Sequence, residues 1–588
     1  MAKQKEVDLK QLVEAVVNET KQGRDEHKER VSRFDRAYEV YRASEKHPDS
    51  LAPWQSKLRV QYGMQVIDTA MVNMASSKPR CKVHARTPDY MGKAQKFQLV
   101  MDYYAGQDHL WEKQPVIVQQ GLIYGVTVAK NSWRLDEGSK IVKGYDNYGT
   151  PIVSDQTVTL YDGPSIQPWD VYDAWWDPAG RDVDSCSYVV LRDWLSKDQL
   201  LARQCSTDGP HHPHECDGLY HNVDKLIALG TAPRSALTAQ DTALGGTETM
   251  QRGKYEVWEV WRNDRLTVIG NEQILLRDTP NPHWHGKKPI VISSTRPDLF
   301  KIQGIPETEL VDHLQQAMWT AQNRRMDSAN LTVMRGITYR EGGVADPNQL
   351  TLRPNFKWPV TDHDDIRPFE VQPLPQEAYQ EEASLLSQLQ YVTGINPYIS
   401  GATSGGTGTD QNTATGVNIL NEVASRLLKF KAQQIQYGIW QRTFEQWGND
   451  IQQFMDKELY VRIVGADGQD QFETVTPQDV VGEYDFVLEG VDDSLSKQQE
   501  RADIVGLVGA LAPFIQLGIV NPKPLAEKIA AAFNIDNPAS LLQAPPQMPP
   551  AAPTGPGGGS PVPNGAQPPM LPSGQMMGMQ GANQIMGG

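Results

Sequence analysis

Apolar residues at Leu9, Leu12, Val13, Val16 and Val17 recur at helical spacing ahead of dense charge after Lys21, so residues 8–45 are predicted as an amphipathic helix. A second helix is expected over Leu58–Met74. After Pro79 the pattern shifts to β-type segments at Val116–Trp133, Thr157–Ile166 and Val189–Trp194. Ser196 stands three residues before Gln199, a capping-box spacing that starts a short helix near Lys197. Residues 234–253 are polar and glycine-containing, a surface excursion. Tyr255–Trp261 then alternates like a strand, and the turn pairs Asn263-Asp264 and Gly270-Asn271 extend it into a meander.

The second half has a different grain. Leu310, Leu314, Ala317, Met318 and Ala321 set a helix over Pro306–Leu331, and Leu385, Leu386 and Leu389 set another over Glu377–Val392. A Pro- and Asp-rich stretch, 334–375, separates them. An uncharged Gly/Ser/Thr loop at 394–409 leads into one long helical pattern from Thr413 to Asp456, which at ~1.5 Å per residue would run about 65 Å. Two strands around Asp467-Gly468, a strand at Tyr484–Leu488 and helices from Lys497 to about Leu542 complete the ordered pattern. Residues 544–588 carry no charge and are rich in Pro, Gly, Met and Gln, a composition expected to stay disordered. The fold class read from this order is α+β.

Composition narrows the function. The 588 residues are 39% hydrophobic and carry a formal charge of −16, which allows large cores but excludes a surface that is basic throughout, as a phosphate-clamping DNA binder needs. Four cysteines are too few for a disulfide framework and suit a reducing compartment, and the first residues show no secretory signal. The longest apolar run, Ile504–Val520, is broken by Pro513 and Gln516 and reads as two short helices rather than a membrane span.

Catalytic chemistry has no foothold. There is no phosphate-binding G-x-x-x-x-G-K-[ST], no H-E-x-x-H and no G-x-S-x-G, so neither catalytic residues nor a cofactor site is expected. Cys205, His211, His212, His214 and Cys216 could enclose zinc, but their spacing matches no common zinc module, and an exposed loop with incidental His and Cys is the favoured reading. Trp169, Trp175, Trp176 and Trp194 could stack on bases, but without interleaved Lys or Arg they read as core or interface residues, interface being favoured.

Several stretches resemble the portal proteins of tailed bacteriophages, nearest the long portals of short-tailed phages. They are Gln167-Pro168-Trp169-Asp170 leading to Asp177-Pro178-Ala179-Gly180 and 184–188; Gln322-Asn323-Arg324-Arg325-Met326-Asp327; Gly394-Ile395-Asn396 running into Thr413-Ala414-Thr415-Gly416; and Gly482-Glu483-Tyr484-Asp485-Phe486 before Gln498-Gln499-Glu500-Arg501. The resemblance covers about residues 30–540 and implies a ring, usually of twelve subunits, at one capsid vertex, through which a separate ATPase drives double-stranded DNA. It implies an α/β wing (1–290 and 457–495), a two-helix stem (291–331 and 376–393), an α/β clip (332–375), a tunnel loop (394–411), a long wing helix (412–456), a helical crown (496–543) and the tail (544–588).

By position, Gly401, Ala402, Thr403, Ser404, Gly405, Gly406, Thr407 and Gly408 would line the DNA channel. Arg340, Phe356, Lys357, Trp358, Asp362, Asp364 and Asp365 would form the partner-binding clip, and Arg324, Arg325, Arg426 and Lys429 would face the channel or a neighbouring subunit. Implied partners are the packaging ATPase (terminase), the tail adaptor, and the major capsid and scaffolding proteins, with no membrane. Implied location is the portal vertex of the virion, after assembly in the host cytoplasm. Competing readings are a terminase-type packaging ATPase/nuclease, which the missing phosphate loop and acidic metal cluster disfavour, and a major capsid protein.

Overall fold

A computed structural model of the chain describes residues 2–45, 47, 50–76, 78–145, 151–205, 219–231, 253–333, 336–341, 362–369, 375, 377–395, 426–464, 470–489 and 507. The tunnel loop after Ile395, the crown and the 504–520 run apart from Leu507, and the tail therefore lie outside the described residues, as do Phe356, Lys357 and Trp358. No helix among the described residues is long and apolar enough to cross a membrane.

Helix α1 (Ala2–Arg42) buries Val13, Val16, Thr20, Gly23, His27, Phe34, Ala37 and Tyr41 at intervals of three, four and, from His27 to Phe34, seven, a single stripe along its length. The stripe starts later than the sequence suggests, because Leu9 is exposed. Gly23 is required for close approach: a Cβ there would sit 2.6 Å from the Trp176 carbonyl oxygen. The N-terminal half of α1 packs with Trp175, Trp258, Val190 and Ile269, and the C-terminal half joins the main core through Phe34, Tyr38 and Tyr41.

That main core gathers α2 (Tyr62–Met74), α3 (Met91–Gln107) and α4 (Leu110–Tyr124). Val116–Tyr124 belongs to α4 and is not a strand as its β-branched run suggests; Ile117, Val118 and Leu122 are fully buried on one helical face, so tertiary burial overrides propensity. Strand character begins only at β2 (Thr127–Tyr145), after β1 (Arg80–Ala85). β2 forms a long antiparallel ribbon with β3 (Pro151–Trp169).

An antiparallel five-stranded sheet follows, in the order β4 (Ala174–Trp176), β5 (Val189–Ser196), β6 (Lys254–Trp261), β7 (Arg265–Gly270), β8 (Ile274–Pro280). The last three are the meander. Ser196 and Gln199 form the reciprocal capping box that opens α5 (Lys197–Ala202), and α6 (Val223–Leu229) lies near the same sheet. β6 buries residues on both faces, since α1 covers Trp258 on one side and the main core takes Tyr255 and Val257 on the other. Trp169, Trp175 and Trp176 are buried in these cores, which replaces the interface role favoured for them with packing. β9 (Ile290–Ser293) returns to pair with Thr127–Lys130 of β2.

Helices α7 (Glu307–Val333) and α8 (Glu377–Thr393) flank a small ladder of β10 (Ile337–Tyr339) and β11 (Ile366–Pro368). Residues 426–454 form α9, α-helical except for a π-helical turn at Gln436–Gln441. The turn has a visible cause. The Ser293 hydroxyl donates to the Gln434 carbonyl within the helical ladder, an approach open only because residue 438 is glycine. β12 (Leu459–Val464) pairs with β13 (Asp470–Val475) as a hairpin, and β14 (Tyr484–Glu489) pairs with β1, closing a sheet across some 400 residues of chain.

Candidate functional site

The α7–insert–α8 unit carries the charged residues singled out by sequence. Its two helices run antiparallel: Gln322 and Arg325, far along α7, both reach Glu382 near the start of α8, while Glu307 at the start of α7 meets the end of α8 through Lys431. Arg325 is engaged by the Glu382 carboxylate and lies over the Tyr379 ring, so its charge is already matched within the chain. Arg324 is exposed. Arg426 and Lys429 lie in the first turn of α9 described here, exposed and half-buried respectively.

Where α8 ends, a buried ionic junction forms. Lys431 Nζ lies 2.9 Å from Glu307 Oε1 with both side chains 1% exposed, and it donates to the Thr393 carbonyl at 3.3 Å. Arg296 reaches the same Glu307 oxygen at 3.4 Å. Burial lowers the Lys431 pKa and the Glu307 charge opposes that shift. Gly394 follows with φ +74°, a left-handed conformation that stops α8, and a Cβ there would strike Leu427. The junction thus fixes both ends of the 396–425 segment, which contains Gly401–Gly408. Sequence reasoning missed Arg296, Glu307 and Lys431, and only the rarity of a fully buried Lys or Glu marks them.

In the insert, the described residues assign the clip candidates unequal roles. Asp365 is buried: one carboxylate oxygen lies 3.0 Å from Arg340 Nη1 and the other accepts the Asp362 amide at 2.8 Å. Together they shape the turn before β11. Asp362 and Asp364 are exposed, and Arg367 lies 3.7 Å from Asp364.

Of the cysteine-histidine cluster, Cys205 alone lies among the described residues. Cys205 is disulfide-bonded, which removes its thiolate as a ligand, and 206–218 lie outside the described residues. Among the described residues one other group can hold a metal ion, His283, His285 and Asp450, which sequence spacing did not connect. Burial, then neighbouring His283, pushes the His285 pKa down to about 4, so this ring is neutral at physiological pH.

The family model described as "Phage SU10 portal protein" matches residues 161–580. Among solved structures the chain is similar to one in the "neck of empty GTA particle computed with C6 symmetry", at 10% identity and TM-score 0.38, covering 80% of this chain and 89% of that one. No curated protein matches. The match takes in α7, the insert, α8, α9 and the strands that follow, and with it the chain belongs to the Phage SU10 portal protein family.

Proposed function

We propose that this chain is the subunit of a closed homo-oligomeric ring at one capsid vertex, the channel for genome packaging, head-tail joining and DNA ejection. The family match over 161–580 carries this reading. The local geometry supports it: an antiparallel helix pair presents one insert at its far end and an uncharged, glycine-rich segment at its near end. In a ring, symmetry brings every insert to one end of the axis and every 394–411 segment around the bore. The twelve-subunit state, the wing, stem, clip and crown boundaries, and the terminase, adaptor, capsid and scaffold partners belong to the same proposal.

Two features fit a ring. Beyond Lys130 the β2–β3 ribbon has no third strand among the described residues and exposes Leu135 and Leu160; isolated two-stranded ribbons are marginal in water, and a neighbouring subunit would supply a surface. A charge of −16 per chain gives about −190 over about twelve copies, a field that discourages DNA from sticking in transit.

Interfaces in such a ring are heterologous, each subunit offering two different surfaces. Negative-stain electron microscopy of the purified chain is expected to show rings with a central hole. A monomeric mass by light scattering at micromolar concentration, with no rings in images of assembled heads, would defeat the proposal. Deleting 401–408 is expected to leave rings intact and impair packaging or retention of DNA; packaged DNA of normal length would remove the loop from the channel.

A further inference from the structure

His283, His285 and Asp450 stand apart from the helix pair. The two histidines lie on the turn between β8 and β9, and Asp450 lies on α9, 167 positions from His283 in sequence. The turn is held in place by other residues. Asn281 donates to the Asn263 and Lys287 carbonyls, both at 2.9 Å, and accepts the His283 amide at 3.1 Å. From the helix side, Gln453 accepts the Trp284 amide at 2.8 Å and donates to the Pro282 carbonyl at 2.6 Å. Turn and helix are therefore clamped independently of the three side chains between them.

Within that frame His283 Nδ1 lies 2.7 Å from Asp450 Oδ1, and the two imidazoles stack with centroids 5.0 Å apart. Trp261 and Phe454 wall the His283 ring. One ligand atom from each of the three residues lies within 4.8 Å of the others. The Asp450 side chain is wholly buried and that of His283 is 6% exposed. Asp450 Oδ2 and His285 Nε2 are buried with no hydrogen-bond partner. A carboxylate kept from water with one oxygen unmatched is costly, and a cation between it and the imidazoles offsets that cost.

We propose that His283, His285 and Asp450 bind one divalent cation of the zinc class, tying the β8–β9 turn to α9. Two imidazoles and a carboxylate suit a borderline ion such as Zn2+, with bonds of about 2.0–2.2 Å and a fourth position left for water. The half-buried edge of His285 gives the ion its entry. To take the ion, each ring presents a nitrogen lone pair; at His285 this is Nε2, buried without a partner, whose proton shifts to Nδ1. At His285 the shift gives up one contact, the Lys287 amide to Nδ1 at 3.0 Å, which lies at the surface and passes to solvent. This site is independent of the portal reading, because it rests on the sheet-to-helix junction alone.

The test uses untagged full-length protein, stripped with a chelator and titrated with Co2+, whose visible absorption reports its coordination. The expected result is one equivalent of Co2+ per chain, displaced by Zn2+, with affinity falling at least tenfold in His285→Ala and Asp450→Asn. His285→Ala removes the half-buried ligand and leaves the Asn281 and Gln453 clamps, so it keeps the test valid if the Asp450 variant fails to fold. A variant with His211, His212 and His214 all changed to Ala is expected to bind as the parent does. Absence of saturable uptake, uptake unchanged in His285→Ala, or uptake lost with the 211–214 histidines would overturn the site.

Discussion

His27, on the buried stripe of α1, has a ring nitrogen 3.0 Å from the Tyr172 carbonyl, while Nδ1 is buried without a partner. Burial pushes its pKa down to about 4 from the usual 6.5, with the Arg30 charge adding to the shift and the Tyr172 bond opposing it. Between those two values the unfolded chain binds a proton that the folded chain refuses, so stability falls as pH drops from 6.5 towards 4, by about 3 kcal/mol for this group. Gln at this position can still donate to the carbonyl and does not titrate. The difference in urea midpoint between parent and His27→Gln is expected to shrink or reverse as the pH falls through that window; parallel pH profiles would rule out the assignment. At this scale the sequence was readable wherever a residue acts on near neighbours, as Ser196 does on Gln199. It was unreadable where partners lie far apart, as for Lys431 with Glu307 and Asp450 with His283, since no local pattern encodes a contact across more than a hundred residues.

Among whole elements, periodicity identified α1, α7, α8, the β6–β8 meander and the β12–β13 hairpin, because each has its own apolar rhythm or turn residues. It failed on α4, whose β-branched residues sit in a helix buried on one face, and it gave no warning of the π turn in α9, which Ser293 of another strand induces. Tight helix-to-strand contact also explains Gly448. A Cβ there would lie 2.1 Å from Phe486 Cζ, and Phe486 is buried edge-on against Phe97. Alanine would gain about 1 kcal/mol of helix propensity, but forcing the ring aside costs about 1–3 kcal/mol. Gly448→Ala is therefore expected to lower the urea midpoint, and adding Phe486→Leu to cost less than Phe486→Leu costs alone. Strict additivity of the two changes would mean that they do not touch.

For the whole molecule, the family was legible because portal-like stretches keep their order along the chain, whereas division of the insert into scaffold and surface required coordinates. Asp365 and Arg340 illustrate the point: both read as docking charges, yet Asp365 is buried and holds Arg340 and the Asp362 amide to shape the turn before β11. Substituting either is expected to loosen the β10–β11 ladder and would report on folding more than on recognition. Asp362, Asp364 and Arg367 are exposed; the Asp364–Arg367 pair spans 3.7 Å in solvent, and Asp362 caps the turn as its N-cap, a role asparagine also fills. If the insert is the partner-facing end of the ring, about twelve copies of this acidic turn lie in one circle, so a small loss per copy multiplies across the contact. Asp362→Asn with Asp364→Asn is accordingly expected to leave rings and thermal stability intact while weakening capture of the packaging ATPase or the tail adaptor at least tenfold, read by surface-immobilised binding at fixed salt. Raising the salt should narrow the gap between parent and variant, because exposed charges are screened over about 10 Å at 0.1 M. Unchanged affinity for both partners in well-formed rings would move the docking surface away from this turn.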